Sequence, residues 1–276
     1  RAFARFRDLI VLPTCNDRGD RVSEARAAFV FREGVLRTAT GSAIGWSRVG
    51  LTRLVDPAAR RHLEARGGRV LSGRAVAGAG PGEVRLTDGE RLPADAAVLA
   101  LPPGRARAVA PDALPRDPGL GSSPIVNVHV WFDRPVMEEP FTAVVDSVAQ
   151  WVFNRSAMAP GGGEGQHLAV SISGAREEVG MPRSRLGAMV AEELARLCPA
   201  ARRAEVRAVA VVKEPHATFA QAPGQAARRP GARTPLPGVA LAGAWTATGW
   251  PATMEGAVRS GIRAARVALG HPSPLT

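Results

Sequence analysis

Tyrosine is absent from this 276-residue chain, lysine occurs once, at Lys213, and cysteine twice, at Cys15 and Cys198. The two cysteines lie far apart and belong to no Cys-x-x-Cys or Cys/His cluster. Neither a disulfide framework nor a zinc site is therefore indicated, and a reducing compartment fits best. No stretch approaches the roughly 20 uninterrupted apolar residues that a membrane-spanning helix needs. Aromatic residues make up only 5% of the chain, and the arginines are scattered from Arg1 to Arg266. A nucleic-acid-binding face would instead concentrate positive charge in a stripe interleaved with aromatics, so no nucleic-acid partner is expected. The five histidines, His62, His129, His167, His216 and His271, show no metal-ligand spacing, and no metal site is expected.

What is present is ordinary for a globular chain: 45% hydrophobic and 22% charged residues. The length suits one large domain or two smaller ones. The formal charge of +11 comes almost wholly from arginine. Such a basic surface favours an anionic membrane face if the substrate is a lipid. The chain opens Arg-Ala-Phe-Ala-Arg-Phe, without an initiator methionine or the apolar core of a signal peptide. It therefore reads as the later part of a longer protein, cytoplasmic, with peripheral contact at the inner face of the plasma membrane as a further expectation.

Periodicity divides the chain. Residues 1–65 read as mainly helical, with loops at Asn16–Asp20 and Thr38–Arg48. Leu51, Leu54, Val55 and Leu63 recur at helical spacing before Gly67-Gly68, a helix stop. Val70, Leu71 and Val76 then suggest a short β run. Val84–Leu86 pairs with Arg91–Leu92 across Asp88-Gly89, a two-residue hairpin signal. The apolar run within Asp95–Leu101 reads as a strand buried on both faces. From Pro124 the alternation is strict: Val126, Val128, Val130 and Phe132 face one way, Ile125, Asn127, His129 and Trp131 the other. Strands are also expected around Ala143–Phe153 and His167–Ser173, on either side of a glycine-rich loop at 160–165. Leu186, Met189, Val190, Leu194 and Leu197 mark a helix, Val206–Val212 a strand, and Pro215–Pro237 a long connection.

The segment from Val239 to Gly261 carries the chemistry. A short apolar strand enters Gly243, a polar loop crosses to Gly249, and Pro251 stands where a first-turn proline is tolerated. A helix then starts near 252–253, with Met254, Ala257, Val258, Ile262, Ala265 and Leu269 on one face. Its first N–H groups have no intrahelical partner and suit an anionic or oxygen-rich ligand. An ordinary strand–loop–helix unit without a ligand fits the same pattern equally well.

The run Leu-Ala-Gly-Ala-Trp-Thr-Ala-Thr-Gly-Trp-Pro-Ala-Thr-Met-Glu-Gly-Ala-Val-Arg-Ser-Gly, ending at Gly261, resembles the C-terminal FAD-binding signature of the flavin amine oxidase and phytoene desaturase superfamily. Within it the resemblance is to the hydroxysqualene dehydroxylases, also called squalene-associated FAD-dependent desaturases. Four other passages agree in order: Arg48–Leu51, Gly67–Val70 with Val76 and Asp95–Pro103, Ser123–Pro135, and Gln150–Arg155. The resemblance implies an α/β and α+β chain, with an incomplete FAD/NAD(P)-binding, glutathione-reductase-like domain and a mixed-sheet substrate domain. Residues 1–65 would be the helical part of the substrate domain, 66–104 the FAD-domain strands, and 105–215 the substrate domain's antiparallel strands and helix. Residues 216–235 would be a linker and 236–270 the C-terminal FAD-binding strand–loop–helix.

Carried over by position, the resemblance implies FAD contacts at Val76 for the adenine side and at Ala100 and Pro102 for the same nucleotide. Gly243 and Ala244 would lie by the ribityl and pyrophosphate, while Thr253 and Met254 would offer helix amides to the pyrimidine edge of the isoalloxazine. Ala244 stands where many relatives carry an acid, and no Gly-x-Gly-x-x-Gly follows a strand, so the N-terminal FAD-binding segment is expected outside this chain.

The implied reaction is reductive removal of the hydroxyl of hydroxysqualene to give squalene, with an isoprenoid small molecule as partner. No catalytic side chain is assigned. Asn16, Asp146, Asn154 and His216 read as structural or exposed before they read as pocket residues, and Trp151, Phe153 and Trp250 as core before tunnel lining. The rival readings are a carotenoid desaturase, an amine oxidase, which the lack of tyrosine tells against, and a non-catalytic fragment that needs a separate FAD-domain chain.

Overall fold

The alternation that begins at Pro124 builds an interior strand of the larger sheet. In the computed structural model, residues 2–159 and 163–271 are described. The chain begins with α1 (Ala2–Cys15), α2 (Glu24–Phe31, continued by a π turn to Leu36) and α3 (Leu51–Glu64). Strands β1 (Val76–Gly80), β2 (Glu83–Leu86), β3 (Arg91–Pro93) and β4 (Ala97–Leu99) follow, then α4 (Pro103–Val109), β5 (Ser122–Phe132), β6 (Phe141–Ala143) and β7 (Trp151–Asn154). After α5 (Arg155–Met158) come β8 (Gln166–Ser173), α6 (Arg183–Leu197), β9 (Val206–Phe219), α7 (Gln225–Arg228), β10 (Val239–Leu241) and α8 (Met254–Ala268).

Two compact units share these elements. The first comprises Arg1–Asp20, Ala27–Val70 and Ser122–Ala217; the second comprises Arg21–Arg26, Leu71–Gly121 and Thr218–Thr276.

The first unit is organised by a five-stranded sheet in the order β6-β7-β8-β5-β9. Strand β5 pairs antiparallel with β8 from Ile125↔Ser173 to Phe132↔Gln166. Val126, Val128 and Val130 are fully buried, as the alternation requires, and meet Leu186, Val190 and Leu194 of α6 in one core. Those three helix residues recur every fourth position, so one stripe of α6 lies on one sheet face. The expected strand over Ala143–Phe153 is two strands, because Asp146 turns the chain at a left-handed φ of 57°. Strand β9 continues past the expected Val212 to Phe219 and passes through Pro215, which an edge strand tolerates. Of the glycine-rich loop, residues 160–162 lie outside the described set.

Helix α3 forms where its spacing predicts. Its end is closed by the amides of Gly67 and Gly68, which donate to the carbonyls of Glu64 and Leu63, with Gly67 at φ 77°.

The second unit holds an antiparallel sheet β1-β2-β3 and a parallel pair β10-β4. The hairpin across Asp88-Gly89 has three loop residues rather than two. The Leu86 amide donates to the Glu90 carbonyl and Gly89 takes φ 92°, the left-handed third position of a bulged turn. The β run expected from Val70 begins only at Val76, because Ser72 and left-handed Gly73 turn the chain first. Strand β4 departs from its expected burial as well: Ala97 and Leu99 are buried while Val98 is 42% exposed. An apolar run shows that a strand can be covered on both faces, but the covering must come from other elements.

Candidate functional site

Parallel pairing decides where the site lies. Val239, Ala240 and Leu241 run beside Ala97, Val98 and Leu99 in the same direction, so the carboxyl ends of β10 and β4 open on the same edge. Ligands of parallel α/β sheets bind outside that edge. The chain leaves β4 through Ala100 and Pro102, both exposed, and leaves β10 through Gly243 and Ala244, both half-buried. Val76, at the start of β1, packs on the cluster of Leu99, Leu241 and Trp245. Thr253 and Met254 open α8, which lies against β10. All seven residues expected at a cofactor thus fall in the second unit, around this edge.

The loop between β10 and α8 is tied at several points. Gly243, at φ 135°, donates its amide to Ser260 Oγ at 2.8 Å, and a Cβ there would stand 2.5 Å from Trp245 Nε1. Trp245 is buried and donates from Nε1 to the Leu101 carbonyl at 2.9 Å, stitching the end of β10 to the end of β4. Thr246 turns back on Gly243, with both its amide and its hydroxyl donating to the Gly243 carbonyl.

Helix α8 begins one step later than expected. Pro251 precedes the helix and accepts the Thr253 amide at 2.8 Å, while the Thr253 hydroxyl accepts the Gly256 amide at 3.2 Å. Thr253 is therefore the N-cap, and its own amide is engaged. The first helical bond is Ala257 to the Thr253 carbonyl, which leaves the amides of Met254 and Glu255 outside the ladder. The Glu255 carboxylate is drawn back along the helix by Arg259 at 2.7 Å. Two unbonded amides at a helix mouth, beside the open carboxyl edge of a parallel pair, fit the electron-rich pyrimidine edge of a flavin.

The stripe of α8 that is buried is the one of small residues, not the one of large apolar residues. Gly256, Ser260 and Ala264 are buried, Gly256 under the Trp250–Thr253 turn and Ala264 against Ala240 and Ala242, while Met254, Val258, Ile262 and Leu269 are 65%, 58%, 51% and 73% exposed. Small side chains let the helix backbone approach Ala240 and Ala242 closely. Sequence reasoning therefore passed over Ser260, Trp245 and the Glu255 amide, although all three stand in the quoted motif. It also passed over Arg229, which no local pattern marks among so many arginines.

The first unit carries a different surface. On the sheet face opposite α6, Trp131 stacks on His167 with centroids 4.3 Å apart, and His129 Nδ1 lies 2.9 Å from His167 Nε2. Trp151 and Phe153 stand on this face, with Phe141 beside both, rather than in the core. Burial, then His129 and Arg155, push His167 down to about 4; burial and Arg155 also lower His129. Both rings are neutral at pH 7.

A cavity of about 450 Å³ lies between α1 and the β6–β7 turn, with a mixed lining: Leu9, Leu12, Val145 and Trp151 on one hand, Asp8, Arg18 and the Arg5–Asp146 ion pair on the other. The polar residues considered from sequence have partners. Asn16 donates to the Ser123 carbonyl at 2.9 Å, Asn154 donates to the Met137 carbonyl at 3.0 Å, and His216 Nδ1 lies 3.0 Å from Ser122 Oγ. Trp250 is half-buried, with the Arg259 guanidinium 4.4 Å from its ring centroid.

Residues 8–269 match the family model of flavin-containing amine oxidoreductases. The chain belongs to that family. Its members are FAD-dependent oxidoreductases, and the mixed α/β architecture agrees. The chain is 36% identical over 266 residues to a hydroxysqualene dehydroxylase of Rhodopseudomonas palustris, covering 90% of this chain and 58% of that protein. It is 27% identical over 255 residues to a 15-cis-phytoene desaturase of Synechococcus elongatus, covering 81% and 52%. Cyclohexylamine oxidase of Brevibacterium oxydans shares the fold at TM-score 0.62 and 16% identity, over 96% of this chain and 64% of that one. The chain thus spans 58% and 52% of the first two proteins. Among the described residues no helix is long and apolar enough to cross a membrane, and no group of three or more metal-ligating side chains occurs.

Proposed function

We propose that this chain supplies the substrate-binding and C-terminal flavin-binding portions of an oxidoreductase that removes the hydroxyl of hydroxysqualene to give squalene. The observation that carries the flavin portion is the pair of unbonded amides of Met254 and Glu255 beside the carboxyl edge of β4 and β10. The similarity to hydroxysqualene dehydroxylase over most of the chain supports the substrate.

When bound, reduced FAD would supply a hydride to the carbon that loses its hydroxyl, the hydroxyl leaving as water after taking up a proton. The chain's own contributions follow from its residues. Met254 and Glu255 orient and stabilise negative charge at the helix mouth. Gly243 and Ala244 leave room for the cofactor's ribityl and phosphate portion, and Val76, Ala100 and Pro102 border its nucleotide end. The aromatic sheet face of the first unit, where Trp131, Trp151, Phe153 and Phe141 stand beside two neutral histidines, offers a largely apolar bed for a hydrocarbon chain. The basic charge supports peripheral contact with an anionic lipid surface from which such a substrate is drawn.

The test uses the full-length protein under reducing conditions with hydroxysqualene. Squalene is the expected product, together with a flavin absorption spectrum. New double bonds in an isoprenoid, or oxidation of an amine, would overturn the assignment.

A further inference from the structure

The loop from Ala244 to Trp250 turns five of its carbonyl oxygens towards three guanidinium groups. Arg229, only 6% exposed, donates to the carbonyls of Trp250 and Ala244 at 2.8 Å each, to the Thr246 carbonyl, and to Thr248 Oγ1 at 3.0 Å. Its Cζ lies 4.8 Å from the centroid of the Phe219 ring. Arg26 donates to the Gly249 carbonyl at 2.7 Å, and Arg263 to the Ala247 carbonyl. Among the described residues, neither Arg229 nor Arg263 has a carboxylate at ion-pairing distance. Burial, then Arg26 and Arg263, push Arg229 down to about 10, still charged at neutral pH.

Holding a buried cation without a counter-charge is costly, because only carbonyl and hydroxyl dipoles and one aromatic face replace its hydration. The charge therefore does not stabilise the fold cheaply. What a guanidinium adds over an apolar filler is a rigid planar fork of donors; here its two terminal nitrogens meet acceptors spread over seven residues of one loop, while the buried Nε has no hydrogen-bond partner among the described residues. That loop leads from the end of β10 to the Thr253 cap, so its path sets where the Met254 and Glu255 amides stand.

We propose that Arg229 is a positioning residue for the flavin: it fixes the Ala244–Trp250 loop and, with no carboxylate to neutralise it, adds positive potential that favours the reduced cofactor. The proposal rests on the reading that the flavin lies at the β4–β10 edge. It concerns how that edge is held rather than which residues touch the cofactor.

The test compares full-length protein carrying Arg229→Gln or Arg229→Lys, with and without FAD. Without FAD, Arg229→Gln speeds hydrogen exchange at the Thr246, Ala247 and Thr248 amides about tenfold or more, the scale of losing charge-assisted hydrogen bonds. With FAD, it weakens cofactor binding by a similar factor and lowers the flavin reduction potential. Arg229→Lys keeps the charge and restores the potential, but exchange stays fast because an ammonium cannot span the same acceptors. A folded Arg229→Gln protein with wild-type exchange overturns the role of Arg229 alone. A loosened loop with wild-type flavin affinity and potential overturns the flavin's placement at this edge. If Arg229→Gln does not fold, Arg229→Lys decides through exchange and FAD affinity, and wild-type values for both sink the proposal.

Discussion

His167 gives the residue scale its clearest titration. The folded protein holds it at about 4 against an ordinary 6.5, so the unfolded chain binds more protons between those values. Its contribution to stability is complete above about pH 6.5 and disappears as pH falls towards 4. Thermal unfolding followed from pH 7.5 to 4 should show a falling midpoint, and His167→Gln should flatten that fall. An equally steep fall in the variant would mean that other groups cause it. Gly256 is a second single-residue control. A Cβ there would stand 2.5 Å from the Pro251 carbonyl oxygen, so Gly256→Ala must shift the turn that precedes α8. A stability loss of about 1–3 kcal/mol is expected, with weaker FAD binding in the full-length protein. Denaturant titration and flavin titration measure the two effects separately.

At the scale of elements, Thr253→Ala removes the acceptor of the Gly256 amide and should cost about 1 kcal/mol, whereas Thr253→Ser should be nearly neutral. Equal losses for both would show that the hydroxyl bond is not what caps the helix. Leu186→Ala, under the sheet, should cost about 2–5 kcal/mol because it opens a cavity among Val126, Val128 and their neighbours.

The elements also show what the sequence could convey. Strand β5 and helix α6 were legible because each has one apolar face and the structure buries that face. Helix α8 was legible as a helix, and its start was placed to within two residues. Its packing face was not, because Gly256, Ser260 and Ala264 share the same helical spacing as Met254, Val258 and Ile262. Period alone cannot say whether a small stripe or a large one meets the sheet. Val98 fails in a related way, since its burial depends on neighbours that a local run does not encode. The carboxyl-edge residues were reached through the motif's resemblance. Trp245 bonded to Leu101 and Arg229 bonded to the loop required distances that sequence spacing does not hold.

For the whole molecule, charge is the property that scales. With +11 spread over the chain rather than gathered in a stripe, attraction to lipid is expected to be weak, additive and salt-sensitive. In flotation assays, the full-length protein should rise with vesicles rich in anionic lipid at low ionic strength and remain behind with purely zwitterionic vesicles. Flotation that is indifferent to salt and lipid charge would assign the contact to apolar surface instead.

The parallel pairing of β4 with β10 also fixes an order of assembly. These strands are three residues each, and every strand of the five-stranded sheet lies between them in sequence. Joining such distant ends carries a chain-closure cost that only prior collapse of the intervening polypeptide can reduce. Cofactor capture should therefore be a late event in refolding. Pulse-labelling is expected to protect the amides of Val128 and Val170 before that of Ala242, and the reverse sequence would show that the ends meet first.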